Sequence, residues 1–227
     1  TAPDPGVTLT GGGIRIETHD VLVRHLAVRV GGELGPVPAE DRDAVGIGSD
    51  RGGGAHDVVL DHLSLTWGID ENFSTWYRST RDITLSDSIV AEGLDESIHP
   101  KGRHSKGILI GDQTTRISLL RNLVAHHVER NPYLKGGSSA EVLNNLVYGW
   151  GPRGGWTQCN LSDNTGDNLP VLLNFIGNVY KPAPKSFVGP PVFAKGAASG
   201  TRVFVRDNFG PGRQDAGDDE WKISSMD

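Results

Sequence analysis

One short register, apolar residues alternating with polar ones around a central polar pair, recurs seven times and restricts the fold more than any other feature of the chain. The copies begin at Val21, Val58, Ile83, Ile117, Ala140, Leu173 and Val203; Ile117-Ser-Leu-Leu-Arg-Asn-Leu-Val124 and Ala140-Glu-Val-Leu-Asn-Asn-Leu-Val147 show the pattern. Aligned on the sixth residue (Leu26, Leu63, Ser88, Asn122, Asn145, Asn178, Asn208), they are spaced by 37, 25, 34, 23, 33 and 30 residues. The shortest intervals approximate the repeat itself, and the longer ones carry inserted loops. A unit of two or three short strands cannot bury its apolar face alone, so it must stack on its neighbours as a solenoid of parallel strands. Asn in the last four aligned positions suits a sharp bend, because Asn tolerates left-handed backbone and its amide can bond the equivalent residue one coil away.

Two other architectures compete. Leu120, Leu123, Val124 and His127 fall at helical spacing, and a β-sandwich also uses many short strands with turn signals. Against a helix, the same window fits the strand register of its neighbours. The 31 Gly and 13 Pro make up about 19% of the 227 residues, where roughly 12% is usual, and that punctuation excludes a helical bundle. The repeats run along most of the chain, so residues 1–227 are expected to form a single domain.

Lys and Arg number 22 against 28 Asp and Glu, a net charge of −6. No global positive field draws the chain to nucleic acid or anionic lipid. The longest stretch without a charged side chain, Asn168 to Tyr180, is too short and too polar to span a membrane. Cys159 is the single cysteine and has no internal disulfide partner. Lys101, Arg103, His104 and Lys106 form the strongest basic cluster of the chain, the local patch that an acidic polymer would need.

Four segments in order carry a family resemblance: Asp61-His62 with Trp67-Gly-Ile-Asp70-Glu71-Asn72, then His104-Ser-Lys106-Gly-Ile-Leu-Ile-Gly111, then Arg130-Asn-Pro-Tyr-Leu-Lys135, then Asn144-Asn145-Leu-Val-Tyr-Gly-Trp150. Over roughly residues 8 to 210 the chain resembles pectate lyases of polysaccharide lyase family 1. The resemblance implies an all-β, right-handed parallel β-helix, here expected to lack its first coil. It also implies a binding groove outside one sheet, a Ca2+ cofactor, and cleavage of polygalacturonate by β-elimination in a secreted, monomeric enzyme.

The residues themselves suit that chemistry. Elimination beside a carboxylate needs an acidified C5 proton, a base and cations facing the developing enolate. Asp41 and Asp43, two apart, would share one face of an extended strand and could face one hard cation. A solvated acidic turn is the alternative, and the resemblance, which puts paired aspartate ligands here, favours the first. Asp70 and Glu71 complete the expected metal ligands; the resemblance expects a second Asp where Ser74 stands. Arg130 matches the catalytic Arg of the family, which removes the proton. An ordinary guanidinium, with a pKa above about 12, is no base in water, so special electrostatics are required. Lys106, His104 and Lys135 are the expected substrate-binding residues; Lys135 stands where the family commonly has Arg and loses the bidentate fork. Asp61 is expected to support the site. His126 and His127, adjacent on a strand, point to opposite faces and are expected to be satisfied rather than metal-bound. Trp67, Trp76, Trp150 and Trp156 suit either sugar stacking or packing. The alternative functions are a polygalacturonase-like hydrolase using Asp61, Asp70 and Glu71, and a non-catalytic glycan-binding β-helix.

Overall fold

The computed structural model describes residues 6–226 apart from 34, 51–52, 105, 152–158, 163–168 and 195–196, so Trp156 lies outside the described residues. Three parallel sheets run the length of a right-handed β-helix. The first sheet has seven strands, from Val7–Thr10 to Val179–Lys181. The second has eight, from Ile14–Ile16 to Ser224–Met226. The third has seven, from His19–Arg24 to Arg202–Arg206. Each coil takes one strand of the second sheet, then one of the third, then one of the first.

The seven sequence copies are the passage from third sheet to first. Period-2 alternation sends every other residue inward, and parallel stacking puts equivalent residues in columns. One column of the third sheet reads Val23, Leu60, Leu85, Leu119, Val142, Phe175 and Val205. Another, in the first sheet, reads Val28, Leu65, Val90, Val124, Val147 and Tyr180. Apart from the partly buried Val23, which packs against it, these columns belong to one continuous cluster of buried side chains extending from Ile16 to Ile223. Each such fully buried side chain contributes roughly 1.5–3 kcal/mol.

The bend between those sheets corrects the sequence reading in one respect. The left-handed residues are His25, His62, Asp87, Arg121, Asn144 and Asp207, each with φ between 48° and 57°, and Gly177. All occupy the fifth position of the repeat, one before the aligned Asn. Turning at the fifth residue points the sixth side chain inward, where it becomes a ladder. Oδ1 of Asn145 accepts the backbone N–H (2.8 Å) and Nδ2–H (3.1 Å) of Asn122. Asn178 does the same for Asn145 at 3.0 Å each, and Asn208 for Asn178 at 2.9 Å each. Ser88 continues the column: its N–H donates to Asn122 Oδ1, and its hydroxyl accepts the Leu63 N–H. The four Asn are at most 3% exposed, so unsatisfied donors here would be costly.

The helical alternative fails at that same bend. Thr115–Leu120 and Leu123–Ala125 are strands of two sheets, separated by Arg121 at φ 54°. No helix among the described residues is long and apolar enough to cross a membrane.

Candidate active site

The second sheet gathers the candidate site residues, because four successive coils deliver charged residues to its outer face and to the turns leading into its strands. Asp43 precedes Val45–Ile47; Asp70 and Glu71 open Glu71–Thr75; Lys106 opens Lys106–Ile110; Arg130 leads into Tyr133–Lys135.

Carboxylate oxygens of Asp43, Asp70 and Glu71 lie within 4.8 Å of one another. Asp43 Oδ1 accepts the Glu71 N–H at 2.9 Å, and its Oδ2 accepts the Ser74 hydroxyl. Ser74 thus turns toward the cluster, from the position where the family pattern expects a carboxylate. Burial pushes the Asp43 pKa up from 3.8 to about 7; the Asp70 charge adds to the rise, and the Ser74 hydrogen bond, Arg15 and Arg130 oppose it. Three clustered carboxylates offer hard oxygen donors that fit Ca2+. Asp41 corrects the sequence expectation: it ends a 3₁₀ turn, Ala39–Asp41, rather than lying on a strand, and it is exposed at the rim of the cavity that Asp43 also lines.

His104 also departs from its expected role. It is 6% exposed, and its Nε2 lies 2.6 Å from Asp70 Oδ1. Its ring stacks on His99, with centroids 3.7 Å apart, so it holds a carboxylate rather than facing solvent. His99 comes from the inserted Glu92–Arg103 loop, which therefore packs behind Asp70. His99 Nδ1 accepts the Lys101 N–H at 3.1 Å, which puts the ring proton on Nε2. That buried nitrogen has no hydrogen-bond partner within reach and faces Asp70 Oδ1 at 3.7 Å. Burial, then the neighbouring His104, lowers the His99 pKa, consistent with a neutral N–H donor.

The remaining cations are paired, most of them across coils. The Arg130 guanidinium contacts Glu71 and lies 5.6 Å from the Tyr133 ring centroid. Burial lowers its pKa, against the charges of Asp70, Tyr133 and Asp43, in the direction a base requires. Lys106 is buried and contacts Glu129; Lys135 donates to Asp112 at 2.8 Å and lies 4.7 Å over the Trp76 ring. Arg103 pairs with Asp95. The basic cluster of the sequence is therefore largely neutralised: adjacent coils set a carboxylate against His104 and Lys106, and Asp95 of its own loop pairs with Arg103.

Pattern reading missed His99, Glu129 and Asp112. Only Glu129 had a local signal, its adjacency to Arg130, and its partner proves to be Lys106. His127 was expected to be satisfied, and it is: Asn72 Nδ2 donates to its Nε2 at 2.8 Å, so its proton sits on Nδ1 and donates to Asn131 Oδ1 at 3.1 Å. Burial pushes its pKa down to about 3. The ring thereby ties the Glu71 strand to the turn that presents Arg130. Asp61 lies elsewhere, at the corner of the third and first sheets. Burial works to raise its pKa, and hydrogen bonds from Ser86, His62 and Arg24 outweigh that effect. A hydrolase built on Asp61, Asp70 and Glu71 thus loses one carboxylate to a structural corner. Trp150 is buried and donates to the Phe187 carbonyl, whereas Trp67 is exposed.

No family model matches the chain. It is similar to the probable pectate lyase C of Aspergillus fumigatus, 33% identical over 92% of this chain and 43% of the relative. It is 35% identical to that of Neosartorya fischeri over the same shares, and 37% identical to that of Emericella nidulans over 69% of this chain and 32% of the relative. The chain spans less than half the length of these curated relatives.

Proposed function

We propose that this chain, which belongs to the pectate lyase family, cleaves polygalacturonate or a closely related uronic acid polymer by β-elimination. The observation that carries this reading is the convergence of Arg130 on Glu71 beside the Asp43 and Asp70 carboxylates, which joins a partly buried guanidinium to a site for a hard cation. Asp43, Asp70 and Glu71 would hold Ca2+, with Asp41 at the rim. When bound, that ion supplies positive charge that neutralises the uronate carboxylate and makes the neighbouring C5–H more acidic.

The chain's own groups do the rest. Burial lowers the cost of a neutral Arg130, which takes the C5 proton. The C5–H electron pair becomes the C4=C5 double bond, and the C4–O bond breaks. The leaving oxygen takes a proton from solvent. Lys135, exchanging Asp112 for a substrate carboxylate, adds positive charge on the same face; the buried Lys106 orders Glu129 next to Arg130. An extended acidic polysaccharide as substrate fits an enzyme acting outside the cell, and the reading takes it to act as a monomer.

Incubation with polygalacturonate, with and without chelator, tests this through the ultraviolet absorbance of the conjugated product. Absorbance that rises in calcium and vanishes in chelator is expected, with a loss of roughly 10²–10⁴-fold in Arg130→Ala. New reducing ends without absorbance would instead mean hydrolysis.

A further inference from the structure

Beyond the carboxylate cluster, away from Arg130, lies a cavity of about 580 Å³ whose lining includes Arg15, Val37, Asp41, Asp43, Gly46 and Tyr77. Arg15 is the centre of Ile14–Ile16 and is exposed. It is in register with Gly46, and Gly46 with Ser74, so the three stand in one outward column across adjacent coils. Gly46 leaves that column hollow. A Cβ there would lie 3.2 Å from Arg15 Nη1 and 3.3 Å from Asp43 Oδ2, so the guanidinium leans over the glycine toward the metal cluster.

Arg15 also differs from the other cations of this face in how it is held. Arg130, Lys106 and Lys135 are each committed to a carboxylate on a neighbouring coil and are at most 25% exposed. The ion pair of Arg15 is with Glu17 at 3.4 Å, with both side chains largely in solvent. Such a pair stabilises by at most about 1 kcal/mol and is easily exchanged. Arg42, the second guanidinium on the cavity, is spent internally on the Glu33 and Gly11 carbonyls. Arg15 is therefore the cavity's available fork for a planar carboxylate. Asp41 beside it can accept sugar hydroxyls, and the half-exposed Tyr77 ring offers an apolar wall.

We propose that this cavity is a subsite for one uronate unit of the polymer, whose carboxylate is bound by Arg15 with no metal between them. The proposal rests on the polyuronate reading above and extends it to a position two coils from Ser74, roughly 10 Å along the axis at the usual strand spacing. Gly46 is then a specificity residue, since any side chain there fills the space between the guanidinium and Asp43.

Calorimetric titration tests it, with calcium present and Arg130→Ala as the parent so that ligand is not consumed. The probes are digalacturonate, hexagalacturonate and fully methyl-esterified hexagalacturonate. Adding Arg15→Gln should weaken the acidic hexamer about tenfold, the contribution of one charge-assisted contact, and leave the dimer and the ester unaffected. Gly46→Val, which keeps the arginine, should weaken the hexamer as well, and because its Cβ would lie 3.3 Å from Asp43 Oδ2, its calcium affinity is titrated alongside. Unchanged hexamer affinity in Arg15→Gln, or equal losses for acid and ester, would overturn the proposal. If the parent binds no hexamer at all, the polyuronate reading falls and the subsite with it. If the parent binds and Arg15→Gln behaves as expected, but the unmutated protein yields no unsaturated product, only the lyase reading fails.

Discussion

Replacing Asp43 by asparagine separates the two things that this carboxylate does. The amide has the same shape: its oxygen can still accept the Glu71 N–H, and its nitrogen can donate to the Ser74 hydroxyl. What disappears is a charge. With a folded pKa of about 7 against an ordinary 3.8, Asp43 keeps its proton in the folded protein over a range where the unfolded chain has released it. Its contribution is thus most favourable at low pH and is lost as pH rises through about 7. At 1.36 kcal/mol per pKa unit the loss has a ceiling of about 4 kcal/mol, and about 2–4 is expected given the coupling to Asp70. For a chain of this size that is about 5–10 °C in melting temperature. In chelator, Asp43→Asn should therefore melt with the parent near pH 4 and some 5–10 °C above it at pH 8. Calcium at a thousand times Kd should close that gap, because only the parent gains the binding free energy, about 4.1 kcal/mol. Melting curves at the two pH values, with chelator or calcium, decide it. A difference independent of pH, or a full calcium gain in the variant, would refute the reasoning. Comparing variant with parent at each pH cancels the other titrating groups.

Three further outcomes are expected. His127, with its pKa pushed down to about 3 by burial, contributes stability above its unfolded pKa and loses it as pH falls from about 6.5 toward 3; in His127→Gln the acid limb of the melting-temperature profile should flatten, and an unchanged limb would refute the assignment. His104→Ala removes the 2.6 Å contact to Asp70 and should weaken calcium binding about 10–100-fold by calorimetry, whereas unaltered affinity would show that the ring does not position the ligand. Asn145→Leu strands the Asn122 donors in a buried column and should cost at least about 3 kcal/mol in denaturant unfolding; a cost under about 1 kcal/mol would mean that the ladder is not a stabilising device.

How far the site was legible depended on whether a residue's partners were local. Glu71 and Arg130 stood out because each belongs to a short ordered motif, and both reach the same site. His104 was equally visible as a cation, but its role depends on Asp70, 34 residues earlier, and on a ring stack with His99 from an inserted loop. Lys106 looked available for substrate until the next coil placed Glu129 against it. Asp41 and Asp43 looked alike, and only backbone geometry separates the aspartate that ends a 3₁₀ turn from the one inside the cluster.

Alternation of period two, repeated seven times with a polar pair, by itself determined a stack of parallel strands, because no single copy can bury its own apolar face. It also determined the Asn column, since equivalent residues of a stack must meet. Tertiary structure decided which of the two central residues turns the chain and which points inward, because that depends on φ. It also decided the charge state of the site. A carboxylate or guanidinium takes its properties from what the adjacent coil sets beside it, and those neighbours lie some 20 to 60 residues away in the chain, beyond any local pattern.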